Sequence, residues 1–339
     1  MAPKRKLPQA AEVGNSADDE PDDFSPMVVE RAMTELSRAL SGRSFESSDA
    51  ADAYINKLLD EGDARTASAP RTPLERAQEI MFLAWEESDP NDRITLAESA
   101  VEMSADCADG FTLLGDEKAF SANEARAYYE EAVRAGARAI GEKAFDEDVG
   151  HFWGILETRP YMRARARLAS CLWDLGEKQA AVAHLQELLR LNPGDNQGNR
   201  YLLLDFLIQL REDEAVETLL AANQDEGGTG WLYDKARWLI QRHAPVSEIS
   251  FALDDALETN PFVPIFLLGR KRVPTEMPDY LRLGGEEEAG AYCMAAKPDW
   301  VKTPGAIEHV RKAAARLKKS RKQGGHAAIP APGLAADGG

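Results

Sequence analysis

The residues best suited to chemistry lie together in one segment, Gly150-His-Phe-Trp-Gly-Ile-Leu-Glu-Thr-Arg-Pro-Tyr161. Read as a ligand pocket, it is lined by His151, Trp153, Glu157, Arg159 and Tyr161, with His151 and Glu157 as a proton-transfer pair and Arg159 gripping an anion. Read as packing, Phe152, Trp153 and Ile155 plug a junction between two helix pairs, and Glu157 and Arg159 form a local ion pair that orients it. Buried aromatics usually serve packing, so the second assignment is favoured, while the segment stays the best place for a small-molecule or enzymatic site. The histidines at 151, 184, 243, 309 and 326 show no H-x-H, H-E-x-x-H or Cys/His spacing that would close a metal shell. There is no G-x-x-x-x-G-K-[ST] loop and no G-x-S-x-G elbow, and Gly227-Gly-Thr-Gly230 falls where a helix would end. Cys107, Cys171 and Cys293 are odd in number and far apart, which predicts three reduced thiols, Cys171 among them a small core hydrophobe. No catalytic residue, metal or cofactor is expected.

Charge narrows the partners. The chain has 339 residues, with 58 Asp and Glu against 40 Lys and Arg, a net charge of −18. Residues 311–322 carry seven cations and no acid; without them and Asp337, residues 1–310 hold 33 cations against 57 acids, a net −24. So acidic a body repels phosphate backbones, leaving nucleic acid or an acidic partner to dock only through the basic C-terminal stretch. The densest apolar stretch, Tyr201 to Leu210, is broken by Asp205 and Gln209, so membrane insertion is not expected. The N-terminus lacks the apolar core of a secretory signal, which points to the cytoplasm. Pro3-Lys-Arg-Lys6 and the 318–322 basic run would instead read as nuclear import signals in a eukaryote.

The elements that must position these residues repeat. Leu168, Leu202 and Ala236 are spaced by 34 residues, as are Leu172, Phe206 and Ile240, then Ala181, Ala215 and Ile249, then Leu185, Leu219 and Leu253. Pro193 and Pro261 lie 68 apart, twice that period. The spacing is that of tetratricopeptide repeats and predicts an all-α, right-handed helical-hairpin solenoid with C-terminal capping helices. Arg237 stands where a small residue is expected, which predicts a distorted third unit. The expected organisation is a disordered acidic tail over 1–24, a short helical segment and linker over 25–73, and about five units over 74–262, clearest at 162–262. A helical cap over 263–322, with helices at 286–297 and 304–322, and a disordered tail over 323–339 follow.

Counting inward positions from helix starts at Met162, Asn196 and Gly230 places Arg163, Trp173, Arg200, Trp231 and Trp238 on the concave face. Two arginines and three tryptophans suit an extended peptide or a partner helix. The Lys/Asn/Arg clamp that chaperone-binding repeats use for a terminal carboxylate is missing at Ala166, Ser170, Leu204 and Trp231. The leading expectation is therefore a non-catalytic protein-interaction scaffold. The 150–161 segment and the basic C-terminal helix are its two alternatives.

Five segments carry a family resemblance: Cys107-Ala-Asp-Gly-Phe-Thr-Leu-Leu-Gly, Gly150 to Tyr161, Leu191-Asn-Pro-Gly-Asp-Asn-Gln-Gly, Asn260-Pro-Phe-Val-Pro, and Glu286 through Trp300 to Thr303-Pro-Gly-Ala. Over about residues 75–315 they resemble bacterial tetratricopeptide proteins related to the suppressor of tumorigenicity seven family. The resemblance implies no enzymatic activity and supplies no catalytic residues. Animal members look membrane-associated through N-terminal apolar segments, which this sequence does not show.

Overall fold

The computed structural model describes residues 26–41, 43–60, 70, 72–278 and 280–324. The tail expected over 1–24, most of the linker and residues 325–339 lie outside that set. Every regular element among the described residues is helical. The chain divides into two units, and the division falls between Phe206 and Leu207.

The first unit contains α1 (Pro26–Leu40), α2 (Ser48–Asp60), α3 (Pro73–Glu86), α4 (Pro90–Met103), α5 (Ala108–Glu117) and α6 (Ala122–Ile140). The short α7 (Ala144–Glu147) and 3-10 turns at Phe152–Gly154 and Leu156–Thr158 lead into α8 (Arg159–Asp174) and α9 (Lys178–Leu191). Helix α10 (Asn199–Leu210) carries the chain out of the unit. The starts are written locally. Thr72 and Glu75 form a reciprocal capping box ahead of Pro73, Asp89 accepts from the Asn91 and Asp92 amides ahead of Pro90, and Ser121 accepts from Glu124. Consecutive helices then pack on one another from α3 through α6, α6 against α8, and α8 against α9.

Small residues set how close these helices come. Ala77, Ala84, Ala97, Ala100, Ala132 and Ala169 have no exposed surface. At Gly136, in the middle of α6, a Cβ would lie 2.8 Å from Tyr161 Cβ and 2.9 Å from its Cα on α8. Because part of that obstacle is backbone, it cannot swing aside. At the end of the unit, Trp173 and Phe206 stack with ring centroids 3.6 Å apart, which ties α8 to α10.

The second unit holds α11 (Asp213–Ala222), α12 (Thr229–Gln241), α13 (Val246–Thr259), α14 (Val263–Leu267), α15 (Glu286–Lys302) and α16 (Ala306–Gly324). Arg237 is accommodated inside it. The side chain is 1% exposed, and its Nε donates to Asp234 Oδ1 at 3.3 Å. Tyr292 OH donates to the same oxygen at 2.9 Å and accepts from Trp300 Nε1 at 2.8 Å, so one polar chain joins α12 to α15. Helix α15 runs past the expected end at residue 297, through Pro298, to Lys302. Proline removes one helical hydrogen bond, but Trp300 just beyond it is fully buried against Tyr233, and that packing holds the last turn. Helix α16 likewise includes residues 323 and 324, which the sequence assigns to a tail.

Two predictions come from the first unit. Gly136→Ala removes a flexible residue from a helix, which alone would stabilise, yet the clash with Tyr161 should reverse the sign and cost about 1–3 kcal/mol. Thermal melts that show Gly136→Ala at or above wild type would contradict the packing. At His184 on α9, burial and then the charge of Arg165 push the imidazole down to about 4 from 6.5. The unfolded chain therefore takes up that proton first, and stability falls as pH drops from 6.5 toward 4. Denaturant titrations of His184→Gln should lose that part of the pH slope; an unchanged slope would contradict it.

Candidate functional site

The site is built on the entry to α8. Phe152 is fully buried, 5.3 Å from the Phe145 ring and 6.4 Å from Tyr161. Thr158 Oγ1 donates to the carbonyls of Ile155 and Phe152, and Gly150 N–H donates to Leu191 O at 3.1 Å. These bonds fix the two 3-10 turns and aim α8, with Pro160 in its first turn. Helix α8 begins at Arg159, three residues before the expected start. Arg159 and Arg163 are therefore neighbours one turn apart on one helix face.

Both guanidiniums converge on two carboxylates. Arg163 grips Asp109 of α5 in a fork, Nε to Oδ1 at 2.9 Å and Nη2 to Oδ2 at 2.7 Å. The same side chain reaches Glu30 of α1, Nη1 to Oε2 at 3.0 Å and Nη2 to Oε1 at 2.9 Å. Arg159 Nη1 donates to Glu30 Oε2 at 3.2 Å and its Nε to Trp153 O at 2.9 Å. Gln78 of α3 donates to Asp109 Oδ2 at 3.0 Å. The cations lie over rings, Arg159 over Trp153 at 5.1 Å and Arg163 over Trp85 of α3 at 5.4 Å. Glu30 is 4% exposed and Asp109 1%. Burial lowers the pKa of Arg163, and the charges and hydrogen bonds of Asp109 and Glu30 more than reverse that, so it is raised and the group stays charged.

A second row of pairs fixes the direction of α1. Arg31 donates to Glu86 at 2.8 Å and lies 3.6 Å from Glu79, and Arg38 donates to Glu79. Moving two turns forward on α1 thus moves two turns back on α3, so the two helices run antiparallel. Arg31 is held within its own helix as well, 3.3 Å from Glu35.

The other expected site residues are placed as follows. Tyr161 is buried in the aromatic cluster and accepts from Arg165. Trp153 is half-buried, and His151 and Glu157 are exposed with no hydrogen bond between them. The local ion pair between Glu157 and Arg159 does not form, because the partner of Arg159 is Glu30. Trp173 is 4% exposed, stacked on Phe206 with Lys178 over its ring. Arg200 is bound to Asp195 at 3.1 Å and to the Gly194 carbonyl at 2.8 Å. In the second unit, Trp231 is 2% exposed beside an open cleft of about 470 Å³ lined also by Asn223, Asp225, Glu226, Lys235 and Asp255. Trp238 is 5% exposed, donates Nε1 to Asp213 at 2.8 Å and lies under Arg242.

Along 311–322, Arg311 and Lys312 face Glu308 and Arg316 bonds Asp254 at 2.8 Å, while Lys318 and Lys319 are exposed. Burial pushes the Cys107 thiol up to about 12, Cys171 to about 11 and Cys293 to about 12, with carboxylates reinforcing each shift. Among the described residues no group of three His, Cys, Asp or Glu side chains could hold a metal ion, and no helix is long and apolar enough to cross a membrane.

The residues that sequence reasoning missed are Glu30, Gln78, Trp85 and Asp109. Glu30 carries a usable signal, since it is a lone acid between Val28-Val29 and Ala32-Met33. Asp109 carries another, one acid in an otherwise uncharged stretch from Cys107 to Gly115.

Residues 66–222 match the family model described as ST7 protein. That stretch includes Gln78, Trp85, Asp109, Trp153, Arg159 and Arg163, and leaves α1 outside. The chain is 28% identical over 250 residues to the suppressor of tumorigenicity 7 protein-like of Gallus gallus, covering 67% of this chain and 45% of that protein. It is 27% identical over 277 residues to the one of Rattus norvegicus, covering 75% and 49%, and 27% identical over 277 residues to the ST7 homolog of Drosophila melanogaster, covering 73% and 48%. The chain spans about half the length of the curated relatives it matches. These relatives are animal proteins, where the resemblance stated above was to bacterial ones. From α3 through α11, the family that this chain is similar to is that of the ST7 proteins.

Proposed function

We propose that the chain is a non-catalytic protein-interaction module, a tetratricopeptide-type stack of helical hairpins whose inner wall receives a helix. In such a stack the inner wall is made by the first helix of each hairpin, and α3, α5 and α8 hold that place in the pairs α3–α4, α5–α6 and α8–α9. The observation that supports the reading is α1 itself, which pairs with Glu79 and Glu86 of α3 and with Arg159 and Arg163 of α8, Arg163 being held in turn by Asp109 of α5. A helix laid across a groove with its contacts one and two turns apart is a recurrent mode of peptide recognition.

The site differs from the concave face first drawn from spacing, since Trp173, Trp231 and Trp238 bury their rings in their own units. A catalytic role has less to stand on. His151 and Glu157 share no bond, and the thiols are buried with raised pKa values.

The reading is tested by placing a protease site within residues 61–69 of the full chain and cutting after folding. The fragment carrying α1 should co-elute with the remainder on gel filtration. Arg159→Glu should weaken that association by at least about tenfold. A fragment that separates as readily from wild type as from Arg159→Glu would contradict a helix-receiving wall.

A further inference from the structure

We infer that this wall is built for a partner helix with the charge pattern of α1, a glutamate followed by arginines one and eight positions later, and that α1 occupies the site in cis until such a helix displaces it. The inference rests on the helix-receiving wall proposed above and adds what the helix must be.

Charge sets the first requirement. Arg159 and Arg163 bring two positive charges to the interior, and the wall itself supplies one buried carboxylate, Asp109. Asp109 is already bound by both arms of the Arg163 fork and by Gln78. One positive charge is left at the mouth of the site, over the rings of Trp85 and Trp153, and Glu30 cancels it. An occupant without a carboxylate there would leave a guanidinium charge desolvated and unpaired, which is strongly unfavourable. The second requirement comes from α3, where Glu79 and Glu86 lie two turns apart and are met by Arg38 and Arg31. Acid at one end and two bases along the adjoining stripe fix both the identity and the direction of the bound helix.

Displacement is supported by how α1 is held. Within α1 the buried side chains are Glu30 and Ala39, and Val29 and Met33 remain 44% and 43% exposed. Met27, Val28, Leu36 and Leu40 are only half-buried, and Ala39 is the one fully buried apolar side chain of α1, so a second helix with the same pairs and a larger apolar face competes well.

The test uses a synthetic peptide of residues 26–41, lactam-bridged between positions 33 and 37, which are exposed on α1 and so leave the contact face free. Its binding to the intact wild-type chain is compared with binding to a full chain carrying Glu30→Lys and Arg31→Glu, which sets α1 against Arg159, Arg163, Glu79 and Glu86 while leaving the wall unchanged. The opened chain should bind the peptide at least about tenfold tighter than wild type, and Glu30→Ala in the peptide should abolish the gain. Equal affinity for both chains, or none for either, would overturn the inference.

Should the double variant melt far below wild type, the wild-type chain cut within residues 61–69 and diluted until α1 leaves supplies an unsubstituted open wall for the same titration. A cut chain that holds its own fragment while the intact chain takes up peptide no less readily than the cut one keeps the receiving wall and overturns the occlusion. A wild-type chain that elutes at twice its mass puts α1 of a second copy in the site and overturns its occupation in cis.

Discussion

A half-buried guanidinium held by two buried carboxylates from different helices organises the first unit of this protein. Arg163 reaches Asp109 of α5 and Glu30 of α1 at once, and Arg159, one turn before it, shares Glu30. Removing charges from water is costly, and the cost is met only when geometry is good and each lone pair is used. Here the fork to Asp109, the Gln78 amide and the rings of Trp85 and Trp153 satisfy those terms with side chains from α3, α5, α8 and the turn before α8. The helices themselves are brought together by small residues and caps. The charges then select how α1 lies against α3 and α8 and in which direction.

That selection depends on the irregular segment at 150–161. Its aromatic plug and its two 3-10 turns act here through placement. They decide where α8 starts, and a start at Arg159 puts its guanidinium on the same face as that of Arg163. A shift of one residue in the register of α8 would rotate both cations about 100° away from Glu30. The pocket reading and the packing reading of the segment meet here: Phe152 and Tyr161 pack, and Arg159 binds an anion, but the anion is a side chain of the same protein.

Much of the fold was legible in the sequence because its cause is periodic. Leu172, Phe206 and Ile240, one period apart, are all buried, as are Leu185 and Leu253 two periods apart. Apolar spacing of that kind is enough to read helical hairpins and an all-α class. The site was only half legible. Arg159 and Arg163 were both singled out, yet assigned to separate sites, because the helix was counted from Met162, three residues late. Proline in the first turn is compatible with a start before it, since the amide it lacks has no helical partner there. Glu30 was missed for a different reason: its partners are 129 and 133 residues away in sequence, and no local rule reports a tertiary ion pair. Trp173 and Trp238 were read as open binding surface, whereas their indoles are stacked or hydrogen-bonded within their own units.

The central claim, that the Glu30 carboxylate is the counter-charge of the Arg159 and Arg163 pair, is tested most directly by a double-mutant cycle of Glu30→Gln with Arg159→Met on the stability of the full chain. The account requires a coupling energy above about 1 kcal/mol, as expected of contacting groups in one buried network. Additivity within about 0.3 kcal/mol would show that α1 is held by something else.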